Sequence, residues 1–462
     1  MPGIFQSLDI ARRALSASRL GLDVASHNIA NVNTPGYSRQ QLTLKAALPQ
    51  NLIQGQLGMG VFVDSISRIR NQLLDFQFRR ISHTLGRAEV EENVLLQVET
   101  VIQEPSESGI GNLMNEFFSE FSNLASEPEN TAIRNSILQK ATGLVESFRS
   151  KRAQLEDIQL SIRKDVDSVV ADINNYARQI ADLNQKIVNA EASGGEANDF
   201  RDQRDQLLDK LGELVEIRYR EDENGNVTVS AAGATLVTND TARELTVQTD
   251  SEHNRLRIVV NGPRGDRVKV ESGRLGALLK LHNKALHKLI DRLDKLASTF
   301  IEAVNRQHRA GQGLPIGDPP ASNSGLDFFV GTDAASIDVA PEIQDNVANI
   351  AASRDGTPGN GDVALAIANL RNAKLLEDRS QTLADYYNNT ITKLGRHIDQ
   401  ARSTRENQEL LREQVQNQRE AESGVSLDEE MTQMIKFQRS LEASAKVIKV
   451  VDDILETLVN LV

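Results

Sequence analysis

The stretch from Ser426 to Val462 constrains the fold more than any other, because it holds neither Gly nor Pro and repeats an apolar residue at every seventh position. These residues are Met434, Leu441, Ile448, Leu455 and Val462. Such a repeat keeps one seam on the surface of a supercoiled helix. Ser426 and Glu429 have the S-x-x-E spacing of a capping box, and Asp428, Glu429 and Glu430 put negative charge at the positive end of the helix dipole. A helix over this segment, at ~1.5 Å per residue, reaches roughly 54 Å. A second stripe, Val447, Val451, Ile454, Leu458 and Leu461, steps by four and three along a neighbouring face. One partner helix cannot bury both stripes.

The opposite end supplies one partner. Ile4, Leu8, Ala11, Leu15, Ser18, Leu22, Ala25 and Ile29 alternate steps of four and three, and the small Ala11, Ser18 and Ala25 let another backbone approach closely. The two ends are expected to pair as a long antiparallel coiled coil. Its expected assembly contacts are Ile4, Leu8, Leu15, Leu22, Ile29, Met434, Leu441, Ile448, Val451, Leu455 and Leu458. An ordinary intramolecular bundle fits the same periodicity, since a stripe marks a face without naming its partner.

Between the ends the period changes. Thr34-Pro35-Gly36-Tyr37 predicts a type II turn after the first helix, and residues 38–66 read as an extended connector with a hairpin. Helices are expected from about Arg68 to Gln103, from Gly111 to Ala125 and onward from Glu129. Another carries the seam Val166, Val169, Ile173, Tyr176, Ile180, Leu183 and Ile187 and ends at Gly194-Gly195. After a helix at 199–214, Val215, Ile217 and Tyr219 alternate with charged residues, and Asn224-Gly225 signals a hairpin. Residues 216–274 are therefore expected to form a small β domain inserted into a helical one. Helical period resumes through Leu286, Leu293, Phe300 and Val304. Residues 309–362 read as a long loop, and a further seam runs from Leu383 to Ala401.

The expected architecture is mainly α, an elongated multidomain rod with three parts. Residues 1–40 and 424–462 form the terminal coiled coil, 41–215 and 275–423 the long-helix bundle with its connector, and 216–274 the β insertion.

A chain of 462 residues is too long for one core. Its net charge of −13 argues against nucleic-acid or anionic-membrane binding as the main activity. With no cysteine, disulfides and thiolate zinc sites are excluded. No run reaches transmembrane length and Met1 to Phe5 lacks a signal-peptide pattern, so export would need another route.

Catalytic, metal and cofactor sites are not expected. His282 and His287 lie five apart, a spacing that separates them around an α-helix, whereas a two-histidine metal motif has four. Asp222, Asn224 and Gly225 fit a turn better than a calcium loop, for which the bidentate Glu is missing. Gly311-Gln312-Gly313 has no preceding strand to make it a phosphate loop. The cluster Arg201, Asp202, Arg204 and Asp205 reads as a solvated helix face.

Asn28-Ile29-Ala30-Asn31 running into NVNTPGYSRQ (31–40) resembles the signature near the N-terminus of the bacterial flagellar rod, hook and hook-associated proteins. Asn31, Asn33, Thr34, Pro35, Gly36 and Tyr37 form its turn motif. The segment from Gly424 to Val462 resembles the matching C-terminus. NNYARQIADLNQKI (174–187), RDQRDQLLDKLGELVEI (201–217), AVNRQHRAG (303–311) and DFF (327–329) resemble the hook-associated, junction-forming members. In one departure, larger members carry a further outer domain after the position of Phe329, where this chain has a short loop.

The resemblance implies a non-enzymatic adaptor at the hook–filament junction of the extracellular flagellum. Such a subunit is exported unfolded through the type III channel without a cleavable signal peptide and assembles helically with copies of itself. Its terminal helices form the inner tube. The implied partners are the hook protein, a second junction protein (hook-associated protein 3), an export chaperone and the export apparatus, with no nucleic acid and no membrane insertion. A rod or hook subunit of the same axial family is the alternative. A wall-degrading or proteolytic enzyme would need a carboxylate pair or metal ligands that the sequence does not assemble.

Overall fold

The computed structural model describes all residues except 1, 53–54, 104–105, 193, 251–253, 262–266, 316–323, 358 and 461–462. Helix α1 (Pro2–Ala30) follows the N-terminal seam and stops short of the turn. There Gly36 has φ +75° and the Tyr37 amide donates to Thr34 O at 3.2 Å, a type II turn centred on Pro35-Gly36. The connector folds back on itself: β1 (Gln40–Ala46) pairs antiparallel with β4 (Val61–Arg68), and β2 (Gln50–Leu52) with β3 (Gly55–Leu57) forms a smaller hairpin between them.

Four helices follow: α2 (Gln72–Ile102), α3 (Ile110–Ser126), α4 (Thr131–Glu191) and α5 (Asn198–Leu214). Asn71 and Asn130 cap α2 and α4 by accepting from free amides of the first turn. The two segments expected after Glu129 are one continuous helix of 61 residues. Gly143 lies inside it without breaking it, because buried residues on either side, from Ile137 to Ile187, hold one face against the core.

The β region makes two sheets. β5 (Ile217–Glu221), β6 (Val227–Ala231), β7 (Ala234–Thr238) and β8 (Thr241–Ala242) form a four-stranded meander; β9 (Leu245–Asp250), β10 (Arg255–Val260) and β11 (Arg267–Val268) form a three-stranded one. Asparagines tie both to helices through paired amide bonds. Asn174 of α4 exchanges two hydrogen bonds with the Leu245 backbone (2.8 and 2.9 Å), and Asn184 does the same with Val227 (2.9 and 3.1 Å). The apolar core is continuous across helices and sheets.

After α6 (Gly273–Lys280) the helix widens into a π-helical turn, Leu281–Leu286, and then continues as α7 (His287–His308). This overturns the expected separation of His282 and His287. A π-turn repeats near five residues, so the two rings share a face, with centroids 6.1 Å apart. No metal-holding group of three acidic or histidine side chains exists among the described residues.

The described part of 309–362 has little regular structure: β12 (Phe329–Val330), β13 (Asp338–Val339), α8 (Pro341–Asp345) and a 3₁₀ turn. Yet it is not a free loop. Phe328, Phe329, Ala334, Ile337, Ile343 and Ile350 are wholly buried. The Phe117 ring of α3 lies 5.0–5.6 Å from the rings of Phe118, Phe121, Phe300, Phe328 and Phe329. Edge-on contacts of this kind add to the burial of each ring. Asn305 of α7 accepts from the Phe328 and Phe329 amides and donates to Phe329 O, pinning the segment to the helix.

Helix α9 (Asp362–Asn369) packs on α3, α10 (Leu383–Ser423) runs back along α2, and α11 (Leu427–Asn460) ends the described chain. Among the described residues no helix is long and apolar enough to cross a membrane.

Candidate assembly interface

α1 and α11 pair antiparallel in one fixed register. Ser18 Oγ donates to Ser440 Oγ at 2.9 Å, a methyl group on Gly21 would come within 2.5 Å of the Phe437 ring, and Asn28 Nδ2 donates to Glu430 Oε2 at 3.0 Å. Each step forward along α1 is matched by an equal step back along α11. Small residues make this possible: Ala11, Ala17, Ser18, Gly21 and Ala25 are buried, so the larger α11 side chains lie against nearly bare backbone.

The larger seam residues are less enclosed. Ile4, Leu8, Leu15, Leu22 and Ile29 of α1 are half-buried, as are Met434, Leu441, Ile448 and Leu455 of α11, while Val451 is buried. Leu461, Val462 and the Leu458 side chain lie outside the described residues. Of the second stripe, Val447 and Ile454 remain exposed, as do Leu427, Met431, Ile435, Val450 and Val459. One partner covers one face of α11.

The turn motif anchors this pair to the rest of the chain. Asn31 receives a bond from Thr34 Oγ1 at 3.1 Å and donates to His27 O at 3.0 Å, whereas Asn33, Thr34, Pro35 and Gly36 face solvent. The Tyr37 hydroxyl donates to Asn28 Oδ1 at 2.7 Å, and burial, with Asp199, Asp202 and Glu430 adding, raises its pKa well above the usual phenol range. Asn28 also accepts from the Gln40 amide and donates to Gln40 O, fixing where β1 leaves the helix. The Arg39 amide donates to Ser423 O at 2.9 Å, and its guanidinium bonds Glu430 at 2.7 Å and Glu429 at 2.6 Å. Glu429, expected to close a capping box with Ser426, accepts from Arg39.

Below the turn lies a largely buried ion cluster. Asp202 of α5 accepts from the Ser38 amide (2.8 Å), Ser38 Oγ (2.7 Å) and Arg68 (2.6 Å). Arg70 bonds Asp75, Arg79 bonds Asp205 and Asp209, and Arg419 of α10 reaches Asp75 and Asp209 at 3.0 and 2.9 Å. Burial alone would raise the Asp205 carboxyl, but Arg70, Arg79 and Arg68 hold it well below the usual carboxylate range. The expectation of a solvated α5 face is therefore wrong for Asp202 and Arg204, which are buried. Arg68, Arg70 and Arg79 close over Asp202 and Asp205, while Asn184, Glu221 and Gly225 O hold Arg204, and nothing in the α5 sequence alone reveals these partners. Sequence reasoning gave no contact role to Gly21, Asn28, Ser38, Arg39, Phe437 and Glu430. An adjacent Ser38-Arg39 after the turn and an acidic helix start were the available signals.

Known proteins resemble this chain along its length. A family model described as the flagellar hook-associated protein FlgK helical domain matches residues 95–329. Models of the flagella basal body rod protein and of the flagellar basal body rod FlgEFG protein C-terminal match residues 8–37 and 416–461. Flagellar hook-associated protein 1 of Bacillus subtilis is 29% identical over 507 residues, covering 100% of this chain and 99% of the relative. Its Escherichia coli counterpart is 26% identical over 541 residues, covering 98% of each. The structure of the flagellar hook junction protein FlgK from Burkholderia pseudomallei, at 15% identity, has the same fold, with a TM-score of 0.63 over 77% of this chain and 100% of that one. With its helical domain and both ends matched in this way, the chain belongs to the FlgK family of flagellar hook-associated proteins.

Proposed function

We propose that the chain is a structural subunit of the bacterial flagellum that polymerises through α1 and α11 on the hook tip, forms the hook–filament junction and supports filament assembly. One observation carries this reading: α11 is covered by α1 along one face and leaves apolar residues exposed on the rest of its surface. An apolar face that one chain cannot bury calls for neighbours. In this reading residues 1–40 with 424–462 form the inner tube, 41–215 with 275–423 form the surrounding bundle, and 216–274 are peripheral to assembly. The role is architectural, without catalysis or cofactor. The partners are other copies, the hook protein below, a second junction protein above, and a chaperone with the type III apparatus during export to the cell exterior. Electron microscopy of a deletion strain tests this reading. Hooks without filaments, restored by the full chain, are expected; a strain without hooks would instead make the chain a rod or hook subunit.

A further inference from the structure

Apart from Val459, the exposed large apolar residues described on α11 fall into two patches. Leu427, Met431 and Ile435, 46–54% exposed, lie near its start; Val447, Val450 and Ile454, 43–56% exposed, lie nearer its end. At about 3.6 residues per turn the two sit on opposite flanks of the face that meets α1. Two of the three positions in each patch match. Moving nineteen residues along the helix carries Met431 onto Val450 and Ile435 onto Ile454. The same shift places Asp428 beside Lys446 and Val447. Asp428 and Lys446 are exposed, and neither has an ion-pair partner among the described residues.

We infer that the start patch of one copy packs on the end patch of the next, with α11 helices parallel and offset by about 29 Å along their axes. This names the partner surface within the assembly reading above and rests on it. Two different patches meeting between copies make a heterologous contact, the kind that generates an open helical array instead of a closed dimer. Apolar area is buried on both sides, and Asp428 meets Lys446 at the rim. Helical geometry gives the arrangement a further consistency: joining the patches puts every α1 on one side of the α11 layer and every Asp428–Lys446 pair on the other.

The absence of cysteine makes this directly testable. Met431→Cys and Val450→Cys in one chain lie about 29 Å apart along the helix, too far for a disulfide within a copy, which needs Cα atoms within about 7 Å. Mild oxidation of assembled structures carrying both should give a ladder of covalent multimers, absent from either single variant. Filaments that form but yield no ladder overturn the patch contact and leave the junction role standing. Failure of the unaltered chain to restore filaments to the deletion strain would overturn the junction role itself. Should the double-cysteine chain not assemble, charge exchange decides. Asp428→Lys or Lys446→Asp alone should lower filament number several-fold and the two together should restore it; no restoration overturns the contact.

Discussion

Phe117 and Leu455 both stand on helical seams, but the Phe117 ring touches five others and is closed off from solvent, whereas Leu455 is half-buried beside an exposed Ile454. The inner seam is finished within one chain. Segments remote in sequence, α3, α7 and 326–352, converge on it, and Asn305 fixes the backbone of the last. The terminal seam has one helix against one helix, with tight packing only where Ala, Ser and Gly let backbones meet. A seam completed by its own chain stores stability in the monomer. A seam left half-covered leaves part of its burial free energy to be gained on association.

The largest effect on the isolated chain is expected from Phe117→Ala, which should cost ~3–5 kcal/mol in urea unfolding. A loss below ~1 kcal/mol would mean that the inner seam is no more complete than the terminal one. Next comes the anchor between the two regions. Asp202→Ala removes one carboxylate from a buried pair and should cost about 3 kcal/mol. Amide exchange should accelerate at Ser38 and Gln40 and not around Phe117; uniform acceleration would make the anchor part of the inner core.

Acid should separate the regions by a comparable amount. His308 is buried, bonds Leu326 O through Nδ1 and accepts from the Ala351 amide through Nε2, so it must be neutral. Burial lowers its pKa to about 4. The unfolded chain therefore takes up this proton first as pH falls from ~6.5 toward 4, and stability should drop across that window by up to about 3 kcal/mol. His308→Gln should flatten this slope in pH-dependent unfolding. Asp205 behaves in the other order: its folded pKa is depressed, so its contribution is complete above ~pH 4 and is lost only as acid protonates the folded cluster.

The smallest effect on the isolated chain is expected from Leu455→Asp, ~1 kcal/mol or less, because that side chain is only half-buried. In assembly the ranking reverses. Leu455→Asp should abolish filaments counted by microscopy while secretion, followed by immunoblot, continues, and Lys449→Asp should leave both unchanged. Equal filament counts would mean that the terminal seam is not where copies meet.

Periodicity made the long helices legible, together with the end-to-end pairing and the switch to strands after Val215. It was silent where structure depends on remote contacts. Residues 309–362 look polar and broken because Gly, Pro, Asn and Asp shape their turns, yet the few apolar residues among them complete the phenylalanine core. The charged run 201–205 gave no sign that Arg68, Arg70 and Arg79 would cover its aspartates. His282 and His287 looked separated because an α-helical period was assumed, and one π-turn brought them together.

Arg39 and Ser423 are joined by a backbone hydrogen bond where the chain leaves the terminal pair and where it returns. The helical body joins α1 and α11 at this neck, while the connector hairpins fold back along α1, where Arg13 donates to Met59 O and Gln6 bonds Gln50. Such a joint separates two kinds of change. Lengthening or shortening the helical body beyond the neck leaves the register of Ser18 on Ser440 untouched, so that body is free to vary in size while α1 and α11 keep theirs. The rod-type models match residues 8–37 and 416–461, close to this boundary on both sides. With only two covalent crossings, the orientation of the two regions at the neck falls to the guanidinium–carboxylate clamps around it and to the hairpin contacts along α1.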